Sequence, residues 1–321
     1  FLHHLRETGK TFGELRRESP KAVPIGLIPS GNRHPLLNPA ADTELGEDDL
    51  IVFIARSFAD CGERAPGTGT SVGTDFSTWE PPSRPQRLLI LGWTRKVPAL
   101  LREFAADEMA IDVVGLTPVE DRMAALARCQ DLALDRVRQI ENNFLDPVKL
   151  AELEPWGYDQ IILLARARMG DEAHADAATI TAYLNLQHSF SGHKKQPKLF
   201  VEILEEQNRF LFDNVHDVLV TPLAISYMLS QIALRRELAA ILTELSRIGG
   251  PQIMLRPIQA ADHPEPVRFD TLAMLAEQRR EIALGVLTAA GEAHLNPDRG
   301  EQLVIRDGDQ LVTLTTVHDP S

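Results

Sequence analysis

The spacing of apolar residues changes along the chain and divides it into regions. Between residues 87 and 220, short continuous apolar runs alternate with stretches in which apolar side chains recur at helical spacing. The runs, typical of strands buried on both faces, lie at 87–91, 111–116, 135–140, 160–165, 199–204 and 218–220. The helical stretches lie at 97–106, 118–129, 147–153, 171–187 and 206–212. This alternation predicts an α/β fold with a doubly wound parallel sheet.

The two flanking regions have a different pattern. Residues 21–58 contain short apolar runs split by turn signals such as Ser30-Gly31-Asn32, and a helix is predicted before them at 11–17. Residues 252–321 are expected to form short strands, at 252–257, 282–288, 302–306 and 310–317. Both flanks therefore predict small β-rich lobes.

The last region repeats the first. Pro24-Ile25-Gly26-Leu27-Ile28 resembles Ala283-Leu284-Gly285-Val286-Leu287, and Leu37-Asn38-Pro39 resembles Leu295-Asn296-Pro297. Residues 47–52 resemble residues 308–313 in the same order. An internal duplication on either side of a complete α/β unit predicts two copies of a two-lobe module, the first without its α/β lobe.

Two segments connect these regions. Residues 61–85 are rich in Gly, Pro, Ser and Thr and predict a linker; the glycines at 67–73 follow no strand, so they do not form a phosphate loop. Residues 223–248 predict one long or broken helix, ended by Gly249-Gly250-Pro251. The apolar run 218–234 is too short and too polar for a bilayer, and we expect a buried strand end followed by a buried helix.

Composition limits the possible partners. The net charge of −13 argues against nucleic acid, because the chain repels phosphate backbones. Two cysteines, Cys61 and Cys129, cannot form a disulfide framework or a four-cysteine zinc site, which fits a reducing compartment.

The turn after the first strand of the α/β unit is the best candidate ligand site. It reads Leu91-Gly92-Trp93-Thr94-Arg95-Lys96, the position of a dinucleotide-binding fingerprint, but only its first glycine is present. The second strand ends without an acidic residue for a ribose diol, so tight NAD binding is not expected. Arg95 and Lys96 favour an anion at the following helix N-terminus. The alternative is a filled, purely structural crevice.

Carboxylates offer a second kind of site. Asp171 and Glu202 follow or lie in neighbouring strands and could converge on a hard cation such as Ca²⁺; the alternative is a solvated acidic rim. The chain has no G-x-S-x-G, H-E-x-x-H, C-x-x-C or P-loop motif, so no enzymatic activity is predicted.

Three stretches resemble the cytosolic part of CASTOR/POLLUX-type ion channels, whose pore is followed by two RCK (regulator of potassium conductance) modules. Residues 9–15 and 22–27, continued by Leu37-Asn38-Pro39 and residues 48–55, resemble the C-terminal lobe of a first module. Residues 89–98 resemble the opening strand and turn of a second module, and residues 199–212 with 217–222 resemble the end of its Rossmann-like lobe.

This resemblance implies a domain organisation. Residues 1–60 correspond to the C-terminal α+β lobe of the first module, 61–85 to a linker and 86–222 to the Rossmann-like lobe of the second module. Residues 223–250 correspond to a crossover helix through which modules dimerise, and 251–321 to the second C-terminal α+β lobe.

It also implies a function. The expected role is a ligand-sensing gating ring of a tetrameric cation channel, on the cytoplasmic face of the membrane and attached to a pore region upstream of Phe1. The implied ligands are a divalent cation such as Ca²⁺ or a nucleotide such as NAD. The implied crevice residues are Gly92, Trp93, Thr94 and Arg95, with Asn142 and Asn143 at the end of the third strand. The alternatives are a soluble nucleotide-dependent oxidoreductase and an assembly ring without a ligand.

Overall fold

The chain folds into two compact units. In this computed structural model the described residues are 1–4, 9–32, 34–66, 86–104, 109–129, 132, 134–166, 172–194, 196–212, 217–247, 250–258 and 266–316. One unit combines Phe1–Glu80 with Arg235–Ser321, and the other is Pro81–Leu234. Residues 67–85 of the predicted linker, with the glycine-rich stretch 67–73, fall outside the described residues, whereas Cys61 at its start is fully buried and belongs to a folded core.

The unit Pro81–Leu234 is built on a parallel sheet. Its strands are β5 (Arg87–Leu91), β6 (Ala110–Gly115), β7 (Val137–Glu141), β8 (Gln160–Leu163), β9 (Lys198–Ile203) and β10 (Asp217–Val220). Their order across the sheet is β7-β6-β5-β8-β9-β10, with every neighbouring pair parallel. This is the doubly wound order 3-2-1-4-5-6, in which the direction of strand addition reverses between β5 and β8.

Helices cover both faces of this sheet because its strands are apolar on both sides. They are α2 (Val97–Phe104), α3 (Val119–Leu126), α4 (Pro147–Ala151), α5 (Glu172–Phe190) and α6 (Thr221–Leu234), with 3-10 turns at Pro155–Gly157 and Glu206–Phe212. Along β5, Leu88 and Ile90 pack in one cluster with side chains of α2 and α3, whereas Leu89 and Leu91 pack with α5 on the opposite face. The alternation of a strand's side chains divides the core in this way.

A polar network around the buried Asp112 and Tyr158 connects β6, β7 and the segment that precedes β8. The Arg138 guanidinium donates to both Asp112 oxygens, at 2.9 Å from Nε and 2.6 Å from Nη2. The Tyr158 hydroxyl donates to the same carboxylate, and the Arg87 guanidinium lies 4.6 Å from the centre of the Tyr158 ring. Burial, reinforced by the hydrogen bond to Asp112, raises the pKa of Tyr158 to about 12.

The other unit contains two lobes of the same topology. The first has β1 (Leu2–His4), α1 (Phe12–Glu18), β2 (Ala22–Ile28), β3 (Leu36–Leu37) and β4 (Leu50–Ala55), with sheet order β1-β4-β2-β3. The second has α7 (Leu238–Leu245), β11 (Pro251–Pro257), β12 (Val267–Arg268), α8 (Phe269–Gln278), β13 (Ile282–Leu287), β14 (Ala293–Leu295), β15 (Gln302–Leu303) and β16 (Gln310–Thr316). Its main sheet has the equivalent order β11-β16-β13-β14. The sequence repeat thus corresponds to two lobes with equivalent sheet orders, and the assignment of each lobe to a module stays a prediction.

The two lobes share backbone features that explain why certain residues recur in the repeat. Gly26 and Gly285 each follow a register shift in the central strand, and a Cβ at either position would lie within 2.4 Å of a carbonyl oxygen of the neighbouring strand. Asp49 and Asp309 are both buried, and each accepts backbone N–H bonds from two turns. Glycine and aspartate recur in the sequence because these bends have no room for a side chain and leave backbone donors to satisfy.

The two lobes pack on each other through reciprocal contacts. Asn38 Nδ2 donates to the carbonyl oxygen of Arg280 at 2.9 Å, and Asn296 Nδ2 donates to that of Lys21 at 3.0 Å. Asn38 and Asn296 occupy the same position of the repeat and have left-handed backbones, with φ of 49° and 51°. Asparagine adopts this region more readily than most residues. The contact therefore has approximate twofold symmetry within one chain.

A common apolar core lies beneath these contacts. Phe12, Leu15 and Ile51 of the first lobe belong to the same buried cluster as Leu284 and Leu314 of the second. Each lobe alone would leave this apolar face in water, so the free energy of burial favours their pairing.

The structure corrects the prediction that residues 252–321 form only short strands. This region also contains α8, the repeat counterpart of α1, with Phe269 and Leu272 buried like Phe12 and Leu15. Alanines at 273 and 276 complete its buried face, and their weak hydrophobicity hides the helical periodicity. The Phe-x-x-Leu spacing shared with α1 was the available signal.

The prediction that the apolar run 218–234 continues as a buried helix is also wrong. Helix α6 has no fully buried side chain, and Ile225, Met228 and Leu229 are each 46% or more exposed. The predicted long or broken helix is broken, with α6 ending at Leu234 and α7 beginning at Leu238. None of the described helices has the length and apolar character needed to cross a membrane.

Asn38→Ala should lower the free energy of unfolding by about 1–3 kcal/mol. It removes the hydrogen bond to Arg280, and alanine, whose side chain cannot form a local hydrogen bond, adopts the left-handed conformation less readily than asparagine. Asn38→Gly loses the same bond but tolerates the backbone, so its loss should be smaller. Urea unfolding of both variants measures the difference. Equal stability of Asn38→Ala and the unmodified chain would contradict this role for the lobe contact.

Tyr158 should make stability depend on pH in the alkaline range. Its folded pKa of about 12 exceeds the ordinary value of 10.0, so its stabilising contribution is complete below pH 10 and is lost as the pH rises through 12. The contribution is on the order of 2 kcal/mol. Unfolding free energies of the chain and of Tyr158→Phe should therefore differ at pH 8 to 9 and converge near pH 12. A constant difference across this range would exclude the linkage.

Candidate functional site

The turn between β5 and α2 lies where the strand order reverses. Gly92 has a φ of 111°, and a Cβ on it would lie 2.9 Å from the carbonyl oxygen of Leu164 at the end of β8. The Gly92 N–H donates to Val114 O at 2.9 Å. Only glycine fits this left-handed conformation and close approach without strain, so Gly92 holds the ends of β5, β6 and β8 together.

A cavity of about 900 Å³ opens beside this turn. Its described lining residues come from the ends of the parallel strands, the turns after them and one side of α5: Trp93, Thr94, Arg95, Lys96, Thr117, Phe144, Leu145, Leu163, Leu164, Ala165, Arg166, His174, Ala175, Ala178 and Thr179. In doubly wound sheets this crevice is where ligands bind, and the volume is that of a small-molecule site.

Positive charge dominates the polar part of this lining. Arg95, Lys96 and Arg166 contribute cationic side chains, and His174 adds an imidazole. No carboxylate is present among the lining residues that the structure describes. A site with this composition attracts an anion and repels a divalent cation.

Lys96 also reaches out of the cavity to a buried carboxylate. Its ammonium forms an ion pair with Glu202 Oε1, and the Thr221 hydroxyl donates to the same oxygen. Glu202 lies in β9 and is 2% exposed, and Thr221 is the first residue of α6. The network thus joins the β5–α2 turn, the end of β9 and the start of α6.

Trp93 lies near a buried cation, Arg122. The Trp93 Cβ lies 3.0 Å from where a Cβ on Gly115 would be, so the Trp93 backbone passes close to the end of β6. The Arg122 guanidinium is 5.9 Å from the centre of the Trp93 ring and donates to Val113 O and to Gln139 Oε1, both at 3.1 Å. Burial lowers the pKa of Arg122, and the charge of Glu141 opposes that shift. Trp93 and Arg122 support each other at this end of the crevice.

The sequence-predicted site residues have different positions. Trp93, Thr94 and Arg95 line the cavity, and Gly92 shapes the turn. The third-strand end contributes Phe144 and Leu145 to the described lining rather than Asn142 and Asn143. Asn142 instead donates from Nδ2 to Lys149 O at 3.1 Å, and the carbonyl of Asn143 accepts from Asp146 N. A binding role for these residues stays a prediction.

The predicted cation site is only partly described. Asp171 lies outside the described residues, and Glu202 is held by Lys96 and Thr221. Within the described ranges, no group of three His, Cys, Asp or Glu side chains could hold a metal ion. A Ca²⁺ site at Asp171 and Glu202 therefore stays a prediction.

Sequence reasoning missed several residues of the crevice. Arg166 lies in the loop after β8, three residues beyond Leu163, and His174 and Thr179 lie on α5. A cation shortly after a strand at the reversal of strand order was the signal for Arg166. His174 and Thr179 had no such signal, because their position depends on how α5 packs.

Comparison with known proteins identifies relatives among ion channels. No family model matches the chain. It is 23% identical over 331 residues to the probable ion channel POLLUX of Arabidopsis thaliana, covering 90% of this chain and 40% of that protein. It is 24% identical over 333 residues to the probable ion channel CASTOR of Oryza sativa subsp. japonica, covering 90% of this chain and 37% of that protein. The predicted resemblance to CASTOR/POLLUX-type channels is confirmed, and the chain spans about two fifths of the length of these relatives.

A solved structure supports the fold. The human SLO3 gating ring has a TM-score of 0.68 and 11% sequence identity, covering 99% of this chain and 67% of that one. This likeness concerns the fold alone, and it confirms the predicted α/β class with a Rossmann-like parallel sheet.

Lys96→Met should destabilise the fold because it leaves the Glu202 carboxylate buried beside an apolar side chain. We expect a loss of about 1–3 kcal/mol in the free energy of unfolding. Glu202→Gln in the same chain should recover most of that loss, since a neutral amide needs no counter-ion. Urea unfolding of the two single variants and the double variant gives the coupling energy. Additive effects would mean that the ion pair does not contribute to stability.

Proposed function

We propose that this chain is a regulatory, gating-ring part of a CASTOR/POLLUX-like cation channel. In this proposal the two lobes of the unit 1–80 and 235–321 are the C-terminal lobes of two successive RCK modules. The unit 81–234 is the Rossmann-like lobe of the second module. The pore belongs to the rest of the parent protein, N-terminal to Phe1, and the ring lies on the cytoplasmic face of the membrane.

The exposed apolar face of α6 carries this proposal. Ile225, Met228 and Leu229 have the i, i+3, i+4 spacing of one helix face, and Leu234 at the helix end is 78% exposed. A helix face of this kind in a folded chain is typical of a surface that another subunit covers. The occupant that fits the proposal is α6 of a second copy, because a ring needs a repeated contact between identical modules.

The crevice supports a sensing role for the same unit. It has the volume of a small-molecule site, and its described lining carries three cationic side chains and no carboxylate. We therefore favour an anionic ligand, such as a nucleotide, over a divalent cation in this cavity. Ligand binding regulates the ring only if the ligand has different affinities for two arrangements of it.

The crevice also bears on the two alternative functions, a structural ring without a ligand and an oxidoreductase. A purely structural ring does not require an open cavity at the reversal of strand order. An oxidoreductase using NAD requires an acidic group for the ribose at the end of β6, where this chain has Gly115 with Trp93 packed close to it. A regulatory role is consistent with both the open cavity and the glycine at the end of β6.

Leu229→Glu should weaken self-association, because it places a charge in the apolar face of α6. We expect analytical ultracentrifugation to show concentration-dependent dimers for the unmodified chain and a dissociation constant at least tenfold higher for the variant, since an uncompensated buried charge costs more than about 1.4 kcal/mol.

Val148→Glu is the matched control. Val148 is 68% exposed on α4, outside the proposed surface, so the same change there should leave association unaltered. A chain that stays monomeric at the highest attainable concentration would overturn assembly through α6, and so would equal effects of the two substitutions.

A further inference from the structure

Lys96 belongs to two sites at the same time. It lines the cavity beside Arg95, and its ammonium is paired with Glu202 in β9. Its side chain is 46% exposed, whereas that of Glu202 is 3% exposed. The lysine therefore has access to the crevice and to the buried carboxylate, with a flexible stem that can turn toward either.

The buried Glu202 carboxylate depends on Lys96 for its positive partner. Its Oε1 accepts from Lys96 and from the Thr221 hydroxyl, and its Oε2 is buried without a hydrogen-bond partner among the described residues. A buried carboxylate deprived of its cation must rearrange. The hydroxyl of Thr221 is bonded to the same oxygen, so this rearrangement acts directly on the first residue of α6.

An anion in the crevice competes for the same lysine. Arg95 and Arg166 form no ion pair with any described residue, so both are available to a ligand but neither is needed by Glu202. Lys96, by contrast, already forms an ion pair with Glu202. A bound anion that draws Lys96 toward itself weakens the Lys96–Glu202 pair by the same free energy with which Glu202 weakens anion binding.

We propose that Lys96 is a switch shared between a crevice anion and Glu202, so that binding of a phosphate-bearing ligand releases Glu202 and Thr221 and loosens the start of α6. This inference rests on the proposed function in one respect, that the crevice takes a ligand. It adds the charge of that ligand and the side chains that transmit its binding. All the residues involved belong to the unit 81–234, so the coupling operates within a single copy.

ADP is a suitable probe, with adenosine as the uncharged comparison, because the two differ only in the diphosphate. Binding is measured by isothermal titration calorimetry. The start of α6 is followed by hydrogen exchange of peptides covering residues 217–234. In the unmodified chain, saturating ADP should speed exchange there about tenfold, the effect of losing one hydrogen bond to a charged group, and adenosine should not.

Three variants separate binding from coupling. Glu202→Gln frees Lys96, so ADP should bind several-fold more tightly and exchange in α6 should no longer respond to it. Thr221→Val keeps the ion pair but removes the hydroxyl, so the exchange response should be lost, and ADP affinity should rise by no more than the roughly tenfold that this lost response represents. Arg95→Met is the matched control: ADP should bind more weakly, but at saturation exchange should respond as in the unmodified chain.

Several results would overturn the proposal. They are absence of ADP binding to the unmodified chain, equal ADP affinity in Glu202→Gln, or an exchange response that persists in both Glu202→Gln and Thr221→Val. Repeating the measurement in Leu229→Glu keeps the readout independent of self-association. Failure of the gating-ring assembly would then appear only in ultracentrifugation, and failure of the switch only in calorimetry and exchange.

Discussion

A carboxylate buried at the end of a parallel strand needs a positive partner, and Glu202 obtains it from across the crevice. The ion pair with Lys96 links the turn after β5 to the end of β9, with β8 between them in the sheet. The Thr221 hydroxyl adds the start of α6 to the same oxygen. Since unpaired buried charge is among the costliest features of a folded protein, the relative positions of these three segments are tightly constrained. Lys96, one member of this ion pair, also lines the crevice.

The unit 1–80 and 235–321 depends on a different principle, the burial of a repeated apolar face. Two lobes of the same topology cover one core, and equivalent asparagines exchange equivalent hydrogen bonds across it. Approximate symmetry within one chain has the advantage of an isologous dimer interface, since each favourable contact occurs twice. The covalent connection between the copies adds to this, because the partner lobe is always present at high effective concentration.

Charge distinguishes the crevice from the chain as a whole. The net charge is −13, yet the described lining of the cavity has three cations and no carboxylate. A cationic pocket in a chain of net negative charge attracts small anions, while the net charge disfavours large polyanions. That combination suits a small phosphate-bearing ligand better than a nucleic acid or a metal ion.

The fold class, the repeat and the glycine turn that opens on the crevice could be predicted from the sequence alone, and binding of a ligand at that turn stays a prediction. Continuous apolar strands and the recurring Gly and Asn positions are local signals, readable because buried strands and left-handed turns restrict residue type at each position. The sequence did not show that α6 is exposed. An apolar helix face has the same pattern whether it packs in its own chain or is left for another copy to cover. Sequence reasoning also missed α8, whose buried face is partly alanine. The ion pair between Lys96 and Glu202 could be found only in the folded structure. These residues are 106 apart in sequence and meet through the strand order, which no local pattern encodes.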